Sequence, residues 1–243
     1  MKERFNAKSE KSMMLRFHCQ TAGSSLTAQQ VENNVIRTTI EAMGAVMGGC
    51  QSLHTNSKDE ALALPTEDSV TTALRTQQVI AYESGIADTV DAFAGSYYIE
   101  YLTDQIEKGA WEYLNKIDEM GGAVKCIELN YQADEIAVSA YEFEKEIESG
   151  ERVIVGVNKF VDEDHPEKLE LTHIDEAGGK IQIDKLKKVK AERNNEEAKR
   201  DLEALKKAAE GSDNILPYIL KCVESYCSIG EISNTLRGVW GEY

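Results

Sequence analysis

Strand-like and helix-like segments alternate three times in the first half of the chain, and this order limits the possible folds more than any other feature. The strands are predicted at 13–18, 50–55 and 89–95, and the helices at 28–47, 66–84 and 97–120. Strands that are connected through helices run parallel, because a parallel pair needs a long crossover between its strands. The pattern therefore predicts an α/β sheet or barrel.

Capping and breaking residues mark the expected ends of the first two helices. Thr27 can cap the first helix, and Pro65 stands where the second begins. Gly85 follows the second helix, as a residue that ends helices often does. The apolar residues of the first helix recur at helical spacing and are predicted to share one buried face. They are Val31, Val35, Ile36, Ile40 and Met43.

Three strand–helix units are too few to close a parallel barrel, which needs eight. On their own they would leave unpaired strand edges exposed. Either the chain forms a small open sheet, or further strands come from another chain. We interpret residues 1–122 as the C-terminal part of a (β/α)8 TIM barrel that contributes about three β/α units.

After Gly122 the pattern becomes mainly helical, and we assign residues 123–243 to a region that follows the barrel. Residues 123–130 fit either a strand or the start of a helix. Helices are predicted at 131–149, 183–210, 214–227 and 231–243, with a β-like run at 152–161 and an irregular acidic segment at 162–182.

The chain is strongly acidic, with 43 Asp and Glu against 27 Lys and Arg and a net charge of −16. Nucleic acids and anionic membranes bind basic surfaces, so neither is an expected partner. No apolar run approaches the roughly 18 residues that a membrane-spanning helix needs. The five cysteines are scattered and form no CxxC pair, which argues against a zinc site or a disulfide framework and favours a reducing cytoplasm.

Polar residues cluster where the first two strands end. Arg16, His18 and Gln20 alternate along the first strand, so they share one face, which in a barrel points inward. Buried polar side chains need a ligand or each other, and a hydrogen-bonded core network is the alternative interpretation.

The second cluster follows the second strand and contains Gln51, Ser52, His54, Thr55, Asn56 and Glu60. Capping of the next helix explains its small polar residues equally well. The chain has no glycine-rich phosphate loop and no GxSxG nucleophile elbow. Amide, imidazole and guanidinium groups with few carboxylates suit a site that holds a polar, reactive species in place.

Several motifs together resemble those of one enzyme family. The chain carries RFHCQTAG, TAQQ, NN, GGCQSLHTNSKDEALALPTE, AGSYYIEYLT, EMGG, ESGERVIVGVNKF and TLRGVWGEY. These motifs resemble the large catalytic chain of the adenosylcobalamin-dependent acyl-CoA mutases, methylmalonyl-CoA mutase above all. The similarity spans nearly all 243 residues.

This resemblance implies a fold and a reaction. The family's large chain is a (β/α)8 barrel, and its last strands would correspond to residues 13–95. The family interconverts (R)-methylmalonyl-CoA and succinyl-CoA, an intramolecular transfer that starts from homolysis of a cobalt–carbon bond. The cofactor carries this chemistry, while the protein positions it and excludes water.

The resemblance also assigns binding residues. At positions 23 and 63, small residues let the flat corrin ring approach closely, and a carboxylate at position 60 can accept a ribose hydroxyl of the adenosyl group. The implied cofactor-binding residues are Gly23, Asn56, Glu60 and Ala63. The implied substrate-binding residues, which line the bore that the acyl-CoA threads through, are Arg16, His18, Gln20, Gln51 and Ser52.

Other parts of the family's machinery have no match in this sequence. The active-site His and the residues that bind the substrate carboxylate and the CoA phosphates lie upstream, so no catalytic residue is assigned. The DxHxxG signature, whose His coordinates cobalt, is absent, so no metal ligand is assigned. The resemblance thus implies an oligomer in which this chain works with an N-terminal barrel part and a cobalamin-binding small subunit or domain.

Two alternatives stay open on the sequence alone. The chain could serve a related mutase that acts on isobutyryl-CoA, ethylmalonyl-CoA or 2-hydroxyisobutyryl-CoA, because substrate choice depends mainly on upstream residues. It could also be a non-catalytic remnant or an assembly protein.

Overall fold

The computed structural model describes residues 1–162, 171–172 and 175–242. Its contacts divide the chain into two compact units, unit 1 with residues 1–172 and unit 2 with residues 173–243. Among the described residues, no helix combines the length and the apolar character that a membrane crossing requires.

Unit 1 combines a small parallel sheet with helices. Short 3-10 turns at Gly23–Ser25 and Ile86–Asp88 interrupt its loops. The elements are α1 (Lys2–Phe5), α2 (Glu10–Met13), β1 (His18–Gln20), α3 (Asn33–Met47), β2 (Ser52–His54), α4 (Glu67–Glu83), α5 (Tyr97–Glu119), α6 (Ala123–Glu128) and α7 (Tyr131–Ser149).

The strands β1 and β2 pair in parallel, as the crossover helix between them predicted. His18 lies opposite Ser52, and Gln20 lies opposite His54. Both strands are shorter than predicted, and β1 begins only at His18 because the preceding residues form α2 and an extended link. The α/β class is therefore supported by one parallel strand pair in the described residues.

The third predicted strand, at 89–95, is wrong. Asp91 adopts a left-handed backbone conformation with φ of 51°. The N–H of Ala94 donates to the carbonyl of Asp91 at 3.1 Å, and the N–H of Ser96 donates to Phe93 at 3.1 Å. These local bonds form consecutive turns, so the segment's apolar residues do not extend into a strand.

Helix α3 buries a polar stripe instead of the predicted apolar face. Its buried residues are Asn34, Thr38 and Ala42. In contrast, Ile36 and Ile40 are 60% and 65% exposed, and of the predicted face only Val31, just before the helix, is fully buried. The loops after β1 and β2 turn backbone carbonyls toward Asn34, and such groups need polar partners, which explains the burial of Asn34.

The β-like run at 152–161 is also not a strand. The side-chain oxygen of Asn158 accepts from the N–H of Ile154 at 2.8 Å, and its amide nitrogen donates to the carbonyl of Arg152 at 2.8 Å. Gly156 adopts a left-handed φ of 81°. Asn158 thus closes a turn, and this local bonding overrides the β-propensity of the valines and isoleucine.

The helices predicted at 66–84, 97–120 and 131–149 are confirmed within two residues. Their ends carry the expected signals: Thr66 caps α4 by accepting from the N–H of Ser69, and Gly150 ends α7 in a left-handed conformation. Residues 123–128, left open between strand and helix, form α6.

Unit 2 is helical, with α8 (Glu176–Glu192), α9 (Asn195–Glu210), α10 (Leu216–Glu224) and α11 (Ile229–Trp240). The predicted single helix at 183–210 is wrong, because Asn194 leaves the helical conformation and caps α9. Helix α8 also begins inside the segment that was predicted to be irregular. Leu205 and Cys222 are fully buried, so the core lies where α9 meets α10 and α11.

Arg193 fixes the junction between α8 and α9 to the start of α11. Its two terminal nitrogens donate to the two carboxylate oxygens of Glu231 at 2.6 and 2.8 Å, and one also donates to the carbonyl of Tyr226. Ser228 and Glu231 form a capping box at the N-terminus of α11. These bonds from Arg193, opposed by burial, hold the pKa of Glu231 far below its ordinary value.

Candidate functional site

The carboxyl ends of β1 and β2 lie side by side. The N–H of Thr21 donates to the carbonyl of His54 at 3.1 Å, which extends the strand pairing by one residue. In parallel α/β folds, ligands bind at this end of the strands. We therefore call the residues that follow β1 and β2, from Thr21 to Ser25 and from Thr55 to Ala63, the strand-end site.

Asn56 lies at the centre of the strand-end site and is only 3% exposed. Its N–H donates to Thr21 Oγ1 at 2.9 Å. Its side-chain oxygen accepts from Gln20 Nε2 and from Thr21 Oγ1, each at 3.2 Å. These two donors fix the orientation of the amide, because only an oxygen can accept both.

The amide nitrogen of Asn56 has no hydrogen-bond partner, although it is buried. An unpaired buried donor costs about 1–3 kcal/mol, so such groups are rare in folded proteins. A ligand acceptor that reaches this nitrogen would remove that cost. Asn56 is therefore a buried donor with unused hydrogen-bonding capacity.

Gly23 packs directly against this donor. A Cβ atom on Gly23 would lie 2.9 Å from Asn56 Nδ2 and 3.5 Å from Glu60 Oε1. No side chain fits there without a shift, so the backbone of the Gly23 turn stands directly against the amide and the carboxylate. The structure brings together three of the four predicted cofactor residues.

Ala63, the fourth, belongs to the same loop as Glu60. Its N–H donates to the carbonyl of Asp59 at 3.1 Å, and it is half-buried. Burial acts to raise the pKa of Asp59, but hydrogen bonds from Thr66, Ser69 and Ser57 outweigh it and lower the pKa overall. The charged Asp59 thus anchors the loop that carries Glu60 and Ala63.

Three of the predicted substrate residues share the exposed face of the sheet. His18 Nδ1 lies 2.7 Å from Ser52 Oγ on the neighbouring strand. Gln20 follows on the same face, whereas Cys19 points to the other side and is half-buried. The alternative that the sequence left open, a hydrogen-bonded network in the core, does not fit these residues, because His18 and Gln20 are exposed and bond separately to Ser52 and Asn56.

The other two predicted substrate residues are placed differently. Gln51 uses its whole side chain on backbone: its oxygen accepts from the N–H of Phe17 at 2.7 Å, and its nitrogen donates to the carbonyl of Gly49 at 2.8 Å. Arg16 is exposed and makes one long contact, 3.9 Å from Nη2 to the sulfur of Met14. Gln51 therefore extends the strand pairing, and Arg16 stands free to meet an anionic group.

The sequence interpretation missed the residues of α3 that support this site. Asn34 Nδ2 donates to the carbonyls of Thr27 and Lys58, each at 2.8 Å, and so links the loop after β1 to the loop after β2. Glu41 contacts the Gly23 turn. A signal was present in the sequence, because polar residues recur at 34, 38 and 41 along one side of the helix.

The described part of the chain contains no group of three His, Cys, Asp or Glu side chains placed to hold a metal ion.

Comparison with known proteins shows the family of this chain. A family model described as methylmalonyl-CoA mutase matches residues 1–242. This chain belongs to the methylmalonyl-CoA mutase family. Relatives include the 2-hydroxyisobutanoyl-CoA mutase large subunit of Aquincola tertiaricarbonis, 44% identical over 244 residues. The mitochondrial methylmalonyl-CoA mutase of Homo sapiens is 45% identical over 241 residues, and the methylmalonyl-CoA mutase of Escherichia coli is 44% identical over 240 residues.

The chain spans only part of these relatives. The match covers 100% of this chain but 43% of the Aquincola protein. It covers 98% of this chain but 32% of the human protein and 34% of the Escherichia coli protein.

Proposed function

We propose that this chain is the C-terminal part of an adenosylcobalamin-dependent methylmalonyl-CoA mutase that interconverts (R)-methylmalonyl-CoA and succinyl-CoA. In this proposal, residues 1–122 complete the barrel and residues 123–243 form the region that follows it. The observation that carries the proposal is the unpaired amide nitrogen of Asn56, which lies close against Gly23, in a chain of this family.

The strand-end site fits adenosylcobalamin chemically. Asn56 Nδ2 can donate to a ring nitrogen or a ribose oxygen of the adenosyl group, and Glu60 can accept a ribose hydroxyl. Gly23 and Ala63 present no large side chain to a flat ring. When bound, the cofactor supplies the radical that removes a substrate hydrogen. The residues of this chain bind and orient it and keep water away from it.

The exposed face of the sheet suits a polar acyl-CoA. His18 and Ser52 already share a hydrogen bond at 2.7 Å, so their orientation is set before a substrate arrives. Gln20 has one amide oxygen left for a donor, and the Arg16 guanidinium can pair with a carboxylate or a phosphate. We assign substrate binding to Arg16, His18, Gln20 and Ser52, with Gln51 holding the strands together.

The proposed partners are an N-terminal barrel part and a cobalamin-binding subunit or domain. In the described residues, β1 and β2 have no further strand beside them, although parallel sheets are normally buried and larger than two strands. The exposed Ile36 and Ile40 of α3 also offer apolar surface for another barrel part. A cytoplasmic location remains our proposal, and some curated relatives are named as mitochondrial.

Rearrangement of 2-hydroxyisobutyryl-CoA is the second candidate function. The Aquincola relative, which is named as a mutase for the 2-hydroxyisobutanoyl ester, is about as similar to this chain as the methylmalonyl-CoA mutases are. The described site residues bind the cofactor or the common CoA part in our proposal, so they do not separate the two acyl groups.

A complementation experiment tests the proposal. This chain is mixed with an N-terminal mutase part, a cobalamin-binding partner and adenosylcobalamin, and turnover of methylmalonyl-CoA is compared with that of 2-hydroxyisobutyryl-, isobutyryl- and ethylmalonyl-CoA. We expect turnover only in the complete mixture, with one ester clearly preferred. Turnover by this chain alone, or none in any complete mixture, would contradict the proposal, and the second result would favour a non-catalytic remnant.

A further inference from the structure

The carboxylate of Glu41 is occupied at both oxygens by the turn that carries Gly23. Oε2 accepts from the N–H of Ala22 at 2.7 Å, and Oε1 lies 2.6 Å from Ser25 Oγ. The Ser25 hydroxyl has a single proton and lies 2.8 Å from the carbonyl of Ala22. The shorter distance and the negative charge of the carboxylate favour donation to Glu41.

These two bonds hold the chain on either side of Gly23. Ala22 precedes Gly23 and Ser25 follows it by two residues, so Glu41 holds the turn from both sides. The Gly23 backbone is thereby kept at the place where a Cβ would already meet Asn56 Nδ2 at 2.9 Å. A small movement of this turn would change the close contact between Gly23 and the Asn56 donor.

Glu41 makes no ion pair with any described residue, so its charge acts through these hydrogen bonds rather than in a salt bridge. It stands on the same helix as Asn34, which links the two loops of the strand-end site. One helix therefore fixes both the distance between the loops and the shape of the Gly23 turn. Such supporting contacts decide how accurately a binding site is held.

We propose that Glu41 is a positioning residue that sets the Gly23 turn for the adenosylcobalamin, an inference that rests on the function proposed above. It touches neither cofactor nor substrate. It lowers the cost of binding, because the turn is already ordered before the cofactor arrives.

The test compares Glu41→Gln, Ser25→Ala and the double variant in the complete mixture. Gln keeps the shape of Glu but removes the negative charge, so the bonds to Ala22 and Ser25 become weaker, neutral ones. We expect the adenosylcobalamin Kd, followed by visible absorption, to rise about tenfold in Glu41→Gln and about threefold in Ser25→Ala. The double variant is expected to resemble Glu41→Gln, because the two side chains share one interaction.

Two readouts separate positioning from a general loss of structure. The methylmalonyl-CoA affinity is expected to stay within about twofold, since that site lies along the sheet face. Amide hydrogen exchange is expected to quicken at Ala22 but not at Thr21, whose N–H is bonded to His54. Glu83→Gln, an equal charge change on the exposed end of α4, serves as the matched control.

The outcomes are distinct. An unchanged cofactor Kd in Glu41→Gln, or a parallel loss of cofactor and substrate affinity, would overturn the positioning role and leave the proposed function in place. Failure of the unsubstituted mixture to bind adenosylcobalamin would overturn the proposed function, and the role of Glu41 toward the cofactor with it.

Discussion

Units 1 and 2 differ in whether their buried polar side-chain atoms have hydrogen-bond partners. In unit 2, Arg193 is 8% exposed at its side chain and donates to Glu231, Tyr226 and Asn195. In unit 1, the buried amide nitrogen of Asn56 and the hydroxyl of Thr38 have no partner. No described residue between 175 and 242 has an unpaired buried side-chain atom of this kind.

This difference separates a fully paired polar network from one with an unused donor. The Arg193 network uses both oxygens of Glu231. At Asn56 the oxygen accepts two bonds and the nitrogen makes none, close against Gly23. We infer that unit 1 carries binding and that unit 2 supplies stability of its own.

The largest expected effect is the loss of Arg193. Arg193→Met keeps the apolar stem but removes the two bonds to Glu231 and those to Tyr226 and Asn195, and only Lys190 Nζ, 3.4 Å away, still pairs with Glu231. We expect a loss of about 3 kcal/mol in the free energy of unfolding of unit 2. Urea denaturation followed by circular dichroism measures it. The control is Lys188→Met, which breaks an exposed pair with Glu192 and should cost under about 1 kcal/mol. Equal losses in both variants would show that the Arg193 network stabilises unit 2 no more than an exposed ion pair does.

Acid should weaken the same junction. The pKa of Glu231 lies below its ordinary value of 4.5 when the chain is folded. Its contribution is thus fully present above the unfolded pKa and disappears as the pH falls toward the folded one. Between about pH 6 and about pH 3, the stability gap between the wild type and Glu231→Gln should shrink by about 2 kcal/mol. A gap that stays constant over this range would show that the pair is not coupled to folding.

The sequence predicted those features that depend on local signals. Helices α4, α5 and α7 follow from caps and glycines such as Thr66 and Gly150, which act within a few residues. The turn closed by Asn158 was missed, because β-propensity does not report a side chain that bonds its own neighbouring backbone. The polar stripe of α3 was missed because it depends on loops that are distant in sequence.

The candidate site was predicted mostly from the family resemblance, and the structure adds geometry to it. Gly23, Asn56 and Glu60 converge as expected. The bonds of Gln51 to Phe17 and Gly49 could not be foreseen from spacing, and its predicted substrate role stays a prediction. Contacts between a helix and a loop, such as that of Glu41 with Ala22, can only be found from coordinates, because neither segment alone indicates its partner.

A methyl group at Gly23 would test whether cofactor binding by unit 1 depends on the close approach of Gly23 to Asn56. In Gly23→Ala the new Cβ would press on Asn56 Nδ2, and we expect the adenosylcobalamin Kd in the complete mixture to rise about tenfold. Gly44→Ala is the matched control, because a Cβ in the middle of α3 meets nothing within 4 Å there. It should leave the Kd unchanged and stabilise the helix by up to about 1 kcal/mol. An unchanged Kd in Gly23→Ala would refute the role of this Gly23–Asn56 contact in cofactor binding.

The smallest expected effect concerns Thr38, which tests whether every buried, unpaired polar atom in unit 1 takes part in ligand binding. Its hydroxyl is buried without a partner, as the Asn56 nitrogen is, but it lies on the buried stripe of α3 and not beside Gly23. Thr38→Val keeps the shape and removes the unpaired group, so unfolding of unit 1 should cost about 0.5 kcal/mol more in the variant, with the cofactor Kd unchanged. Thermal unfolding and a cofactor titration measure the two quantities. If the variant binds adenosylcobalamin more weakly, the stripe of α3 contacts the site more directly than its hydrogen bonds indicate. If only stability changes, the unpaired hydroxyl of Thr38 is a structural feature, and only the unpaired nitrogen of Asn56, beside Gly23, is a candidate for ligand binding.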